Sequence, residues 1–217
     1  CNSEATAREV HRRIGVPTRQ LSVLKLGFNP GQLRPLGYAR QPELLVLGRH
    51  NPHKNLRRLL EALAALRDQE HRIHFVGPQD RRYTPKLQLL AQELGVASRC
   101  RWTAWVSNEE RLELLNRARA LVIPSLWEGF GLPALEAMAC GTPVLASTAG
   151  ALPEVVGETA VPLNPLKPEQ MAAAIDNFLR SNGLQQQLAQ KGPQRAAEFS
   201  WTLTSAELKQ RLRALSP

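Results

Sequence analysis

Short apolar runs alternate with amphipathic segments through the middle of the chain. Each run is almost uniformly apolar, as expected for a strand that is covered on both faces of a sheet. The segments between the runs carry leucines at helical spacing, for example at Leu56, Leu59, Leu60 and Leu63. This alternation predicts an α/β fold with a Rossmann-like, doubly wound parallel sheet. The predicted strands are 44–48, 73–77, 100–106, 120–124, 143–146 and 159–163.

Capping signals mark where several of the helices begin and end. Ser107 followed by Glu110 predicts a capping box at the start of a helix. Pro133 stands where the first turn of a helix tolerates proline, and Gly141 stands where that helix should end. These signals agree with the division into strands and helices that the apolar pattern predicts.

The two ends of the chain differ from the middle. The sequence predicts a short helix over residues 3–14. Residues 15–42 are rich in Gly and Pro, which is typical of a linker. The helices predicted after the last strand are 171–180, 184–199 and 204–215. The predicted division is 1–35 for the first helix and linker, 36–200 for the Rossmann-like domain and 201–217 for a C-terminal helix.

Composition and charge narrow the classes of partner. The chain of 217 residues has a hydrophobic content of 43%, enough to bury one core and too high for wholesale disorder. The net charge of +9 favours an anionic partner, such as a phosphorylated substrate or the surface of an anionic membrane. Nucleic acid is not an expected partner, because the arginines are scattered and aromatic residues make up only 5% of the chain.

The cysteines and the hydropathy indicate a cellular setting. Cys1, Cys100 and Cys140 are far apart and lack a C-x-x-C spacing, so neither a disulfide framework nor a zinc knuckle is predicted. No apolar run approaches the roughly 20 residues that cross a bilayer. We expect a cytoplasmic protein, with peripheral contact on the inner membrane face left open.

Candidate binding residues follow the predicted strands. In an open parallel sheet, ligands bind beyond the carboxyl ends of the strands. Gly48 and Arg49 follow the first strand, with Lys54 five residues after Arg49, and Gly77 follows the second strand. The glycines would let the backbone approach a ligand closely, and the two cations would neutralise an anion.

The loop after the fourth strand is the most informative of these segments. Gly129 and Gly131 lie just ahead of the helix that Pro133 begins, so free backbone N–H groups should form an anion site at the helix start. Carboxylates at Glu128 and Glu136 would repel a phosphate there and instead accept hydrogen bonds from hydroxyl groups. Cations, an anion site and hydroxyl acceptors together indicate a sugar attached to a nucleoside diphosphate.

At this point the chain resembles the donor-binding C-terminal domain of the retaining glycosyltransferases of the GT-B type, family 4 or group 1. These enzymes carry an E-x(7)-E motif, which the pair Glu128 and Glu136 would supply. The motifs that carry the resemblance are GRHNPHKN (48–55), PSLWEGFGLPALEAMACGTPV (124–144), LPEVV (152–156) and FSW (199–201).

The resemblance implies a role for each matching residue. Arg49 and Lys54 match a pair that binds the diphosphate, and Glu128 matches the carboxylate beside the transferred sugar. Glu136 matches the carboxylate that takes the ribose hydroxyls, and Val106 matches a position that contacts the base through its backbone. The positions whose backbone amides face phosphate and sugar are Gly129, Phe130, Gly131 and Leu132.

The resemblance also implies the reaction and the rest of the enzyme. It implies transfer from a UDP-, GDP- or ADP-sugar with retention of configuration, without a metal or other cofactor, in polysaccharide or glycolipid synthesis. The residues themselves also indicate that no metal is needed, because the aspartates Asp68, Asp80 and Asp176 are too far apart in the chain to form an Asp-x-Asp metal motif. Residues 1–35 would be a remnant of the acceptor-binding domain and linker, and 201–217 a crossover helix. Without an N-terminal acceptor-binding domain, the chain alone would be inactive.

Other interpretations stay open at the level of sequence. The same fold and motif could belong to a nucleotide-sugar epimerase, and the basic surface could belong to a non-catalytic module that docks on a membrane or a partner. Gly129, Gly131 and Ala134 also satisfy the G-x-G-x-x-A dinucleotide fingerprint, although residues 124–128 separate them from the strand. His50 and His53 lack the third ligand that a metal site would need.

Overall fold

A parallel sheet with helices on both faces forms the centre of the molecule. The computed structural model describes residues 1–66, 68 and 70–215. The strands are β1 (Glu43–Leu47), β2 (Arg72–Val76), β3 (Cys100–Thr103), β4 (Ala120–Ile123), β5 (Val144–Ser147) and β6 (Ala160–Leu163). The described α-helices are α1 (Glu4–Ile14), α2 (Leu56–Ala64), α3 (Thr84–Glu93), α4 (Asn108–Arg117), α5 (Leu132–Ala139), α6 (Leu152–Val156), α7 (Pro168–Arg180), α8 (Asn182–Ala197) and α9 (Trp201–Leu215).

The strand order confirms the predicted doubly wound fold. The sheet runs β3-β2-β1-β4-β5-β6, and every pairing is parallel. The chain winds outward from β1 to β3, returns to β4 beside β1, and then winds outward in the other direction. The loops after β1 and β4 therefore diverge and leave a crevice between them, which is where such sheets bind ligands.

The two faces of the sheet bury separate apolar layers. On one face, Leu59 and Leu63 of α2 and Phe178 of α7 pack against the sheet, and each of these side chains is fully buried. On the other face, Leu135 and Met138 of α5 are equally buried. This arrangement explains why the central strands β1, β2, β4 and β5 are apolar on both sides.

One predicted strand extends well beyond the strand observed. The apolar pattern predicts 100–106, whereas β3 ends at Thr103. The chain leaves the sheet there to reach Ser107, whose side chain accepts from the N–H of Glu110 while the Glu110 carboxylate accepts from the N–H of Ser107. Both halves of the predicted capping box are present, and they start α4.

The Gly- and Pro-rich segment is irregular but attached to the domain. Phe28 is buried and forms a parallel bridge with Ser200, so the chain enters and leaves the sheet domain side by side. Arg40 donates to the carbonyl groups of Leu115 and Gly141, at the ends of α4 and α5. The segment is therefore largely irregular and is fixed to the domain at this end, and its interpretation as a linker stays a prediction.

Candidate functional site

The crevice at the switch between β1 and β4 brings the loops that follow these strands together. The loop after β1 forms a 3₁₀ turn, Pro52–Lys54, and Asn55 next to it adopts a left-handed conformation with φ of 57°. The buried Asn55 amide donates to the carbonyl groups of Pro124 at 2.9 Å and Pro165 at 2.7 Å. This hydrogen bonding fixes the β1 loop against the β4 loop and sets the position of Lys54.

Lys54 and Glu128 form the central ion pair of the crevice. The Lys54 Nζ lies 2.7 Å from Oε1 of Glu128, and the two side chains are only 19% and 12% exposed. The Ser125 hydroxyl donates to the same carboxylate oxygen at 2.7 Å. The structure thus places Lys54 directly against the loop that contains Phe130, as a shared site requires.

Gly48 and Gly77 have a steric reason to be glycine. Both have strongly positive φ values, and a Cβ on Gly77 would lie 2.2 Å from the Gly48 carbonyl oxygen. A Cβ on Gly48 would lie 3.3 Å from Cε of Lys54. The pair therefore lets the two loops cross closely and lets the Lys54 side chain run over the end of β1. Contact of either glycine with a ligand stays a prediction.

A row of free backbone N–H groups leads into α5. Within the part of the chain that the structure describes, the N–H groups of Gly129, Phe130, Gly131 and Leu132 donate no hydrogen bond. Gly131 has a φ of 100°, and Pro133 occupies the first turn of α5. A left-handed residue followed by a helix start exposes consecutive donors on one side, which is the geometry that binds anions.

Arg49 is solvent-exposed at the mouth of the crevice. Its charge contributes to the low pKa of Asp80, which lies at about 2 mainly because Asp80 accepts hydrogen bonds from Arg82. Arg49 is therefore not held as tightly as Lys54. Contact of Arg49 with an anionic ligand stays a prediction.

Glu136 lies on α5 and pairs with Arg111 of α4. The Arg111 guanidinium contacts Oε2 of Glu136, whose side chain is 14% exposed. Burial lowers the pKa of Arg111 from its usual value. Both side chains line a cavity of about 480 Å³, together with Asn29, Asn108 and Leu132. The half-buried Val106 packs against the apolar layer beside α4 and α5.

Sequence reasoning missed several polar residues of this region. Ser125 and Asn55 support Glu128 and the loop crossing, and Arg111 compensates Glu136. The spacing of Ser125, three residues before Glu128 in the same loop, is the one local signal that could have indicated a contact. The partner of Glu136 lies on another helix, and periodicity does not reveal contacts between helices.

Two other candidate residues have packing roles. His50 is buried, with Nδ1 3.0 Å from the Thr84 hydroxyl and its ring edge-on to Trp102. Cys140 is fully buried after α5, and burial raises the pKa of its thiol to about 11.

Among the described residues, no helix combines the length and apolar character needed to cross a bilayer.

Comparison with known proteins identifies the family. A family model described as "Glycosyl transferases group 1" matches residues 35–195. The MMP α-(1→4)-mannosyltransferase of Mycolicibacterium hassiacum is 36% identical over 211 residues, which cover 94% of this chain and 51% of that protein. The chain spans about half the length of the curated relatives it matches.

Solved structures share the fold. Sucrose-phosphate synthase of Thermosynechococcus elongatus is 27% identical with a TM-score of 0.85, over 97% of this chain and 56% of that one. Anabaena HepE in complex with UDP and glucose has a TM-score of 0.87 at 20% identity, over 99% of this chain and 62% of that one. These likenesses confirm the predicted Rossmann-like half of a GT-B structure. With the family match, they show that this chain belongs to the group 1 glycosyltransferases.

Proposed function

We propose that this chain binds the nucleoside-diphosphate sugar for a glycosyltransferase that works with retention and without a metal ion. The observation that carries the proposal is the convergence of the Lys54 ammonium group, the Glu128 carboxylate and the free N–H groups after Gly129 on one crevice. The relatives named mannosyltransferase and the HepE complex with UDP support a donor of this class.

Different residues of the crevice would bind different parts of the donor. The Lys54 ammonium group has three donors, so it can keep its bond to Glu128 and still donate to a phosphate oxygen. With Arg49 and the N–H groups of the loop, it would stabilise the charge that grows on the departing diphosphate. These groups would supply the positive charge that a divalent cation provides in other transferases.

The carboxylates would bind the hydroxyl groups of the donor. Glu128, beside the free N–H groups, would face the transferred sugar, and Glu136 would accept from the ribose hydroxyls. The cavity of about 480 Å³ next to Glu136 would receive the nucleoside, with the base toward Val106. The three nucleoside diphosphates to be compared are UDP, GDP and ADP, which differ in their base.

The first experiment measures diphosphate binding to the 217-residue chain by calorimetry and thermal shift, with UDP, GDP and ADP. We expect one of them to bind and Lys54→Ala to weaken its binding at least about tenfold, because a charge-assisted hydrogen bond is lost. Glu136→Ala should weaken binding as well. Lys209→Ala, which removes an exposed lysine from α9, serves as the matched control.

Loss of stability must be separated from loss of binding. Lys54→Ala leaves Glu128 half-buried without its counter-charge, which can itself destabilise the fold. The double variant Lys54→Met with Glu128→Gln removes both charges, so it should regain stability and still fail to bind. Absence of binding by the wild-type chain to all three diphosphates would refute the proposed function.

A further inference from the structure

Helix α1 begins in contact with the loop that carries the free N–H groups. Ser3 is fully buried, and its hydroxyl accepts from the Thr6 N–H at 3.0 Å, which caps the helix. The same hydroxyl donates to the carbonyl oxygen of Gly129 at 2.6 Å. The Thr6 hydroxyl lies 3.1 Å from that oxygen and 2.8 Å from the Ser3 hydroxyl. Two side chains of α1 therefore hold one carbonyl group of the loop.

Holding this carbonyl group also fixes the direction of the next N–H group. The described chain contains no cis peptide bond, so the C=O of Gly129 and the N–H of Phe130 point in opposite directions. With the carbonyl group directed at α1, the N–H of Phe130 must point away from α1. It is one of the N–H groups that donate no hydrogen bond within the described chain.

The start of α1 is itself well anchored. The Glu154 carboxylate of α6 accepts from the N–H groups of Glu4 at 3.0 Å and Ala5 at 2.9 Å. The loop ahead of α6 is attached to the same region, since the N–H of Ala151 donates to the Glu128 carbonyl at 3.0 Å. Gly150 permits this contact, because a Cβ there would lie 2.7 Å from the Glu128 backbone. α1, α6 and the loop thus form one hydrogen-bonded unit.

We propose that Ser3 and Thr6 are positioning residues that orient the peptide between Gly129 and Phe130 so that the Phe130 N–H faces the donor diphosphate. The inference rests on the proposed function, since it names the residues that prepare its anion site. Without the two hydroxyl groups, the carbonyl group would lose its partners and the peptide could rotate. A rotated peptide would present a carbonyl oxygen, which repels phosphate, in place of an N–H group.

The test compares the diphosphate with its own nucleoside. The double variant Ser3→Ala with Thr6→Val removes both hydroxyl groups, and Thr6→Ser retains a hydroxyl at that position. The probes are UDP and uridine, or GDP and guanosine if the wild-type chain prefers guanine, or ADP and adenosine if it prefers adenine. We expect the double variant to bind the diphosphate about tenfold more weakly and the nucleoside unchanged, because lost hydrogen bonds of this kind are each worth about fivefold. Thr6→Ser should bind like the wild type.

A second readout follows the peptide itself. The backbone amide signal of Phe130 in a ¹⁵N–¹H spectrum should shift in the double variant, while the amides of α9 remain in place. Ser205→Ala, which removes an exposed hydroxyl group from α9, is the matched control. If the double variant fails to fold, diphosphate and nucleoside affinities are compared with Thr6→Val alone, which conserves the side-chain shape. We then expect a smaller loss of diphosphate affinity.

The outcomes separate the two proposals. An equal loss of nucleoside and diphosphate affinity would show a general structural effect and overturn the positioning role. Unchanged diphosphate affinity in the folded double variant would also overturn it, while leaving the proposed function intact. Failure of the wild-type chain to bind any diphosphate would overturn the proposed function and this inference with it.

Discussion

The partly buried charged side chains of the crevice neutralise one another in the free protein. Lys54 pairs with Glu128, and Arg111 pairs with Glu136, so neither half-buried carboxylate is left without a counter-charge. Removing one member of such a pair costs more than the pair contributes, because the remaining charge stays poorly solvated. Each ion pair also leaves lone pairs of the carboxylate available for hydroxyl groups.

Arg111 should therefore support the binding of the ribose. We expect Arg111→Leu to weaken nucleoside-diphosphate binding about threefold to tenfold, because the partly buried Glu136 carboxylate loses the cation that holds it in place for the ribose hydroxyls. Arg111→Lys should restore part of the affinity. Calorimetry with UDP and GDP measures the effect, with Arg8→Ala on the exposed side of α1 as the control. Tighter binding by Arg111→Leu would show instead that Arg111 competes with the ribose for Glu136.

At the scale of elements, the apolar pattern was sufficient to predict all the strands and their parallel arrangement. It was sufficient because the four central strands β1, β2, β4 and β5 are buried on both faces, which leaves continuous apolar runs in the sequence. The edge strands β3 and β6 are only partly buried. The end of β3 was predicted too late, since Trp105 and Val106 continue the apolar run after the chain has left the sheet. Trp105 is 75% exposed, which distinguishes it from a buried strand residue. The apolar pattern of the sequence does not reveal this exposure.

The candidate site was predicted in part. The glycines, the cations and the acids follow strands, and a parallel sheet brings the carboxyl ends of its strands to one edge. The contacts that support them join residues far apart in the chain, such as Ser3 with Gly129 and Arg40 with Leu115. Ser and Arg side chains can hydrogen-bond to many kinds of group. Which partner each one contacts depends on the packed structure, so the contact leaves no periodic pattern in the sequence.

Helix α1 gives a prediction at the same scale. Glu154→Ala removes the acceptor of two N–H groups at the start of α1, so this helix should open more often while the sheet stays closed. Hydrogen exchange followed by mass spectrometry should show faster exchange in 4–14 and unchanged exchange in β1 and β4. Glu207→Ala on α9 is the control for loss of an exposed acid. Equal exchange of α1 in the variant and the wild type would contradict the anchoring role of Glu154.

At the scale of the whole molecule, Arg40 links the irregular segment to the sheet domain. Its guanidinium group also donates to the carbonyl groups of Asn116 and Ala118 and to the Thr142 hydroxyl. We expect Arg40→Ala to lower the free energy of unfolding by about 2–4 kcal/mol, because several buried acceptors lose their donor together. Urea denaturation measures this change, and Arg12→Ala, at an exposed ion pair of α1, should change it little. A loss for Arg40→Ala as small as the control's would contradict the prediction.

The adjacent entry and exit of the sheet domain have a practical consequence. Gly27 lies so close to Ser200 that a Cβ would stand 2.2 Å from the Ser200 carbonyl carbon, and the Thr204 hydroxyl donates to the Lys25 carbonyl beside this crossing. The two ends of residues 28–200 therefore lie side by side. A chimaera that exchanges this segment between relatives would join both of its ends at the same place in the structure, where the glycine has to be kept. It would also have to preserve the hydrogen bonds between the start of α1 and Gly129.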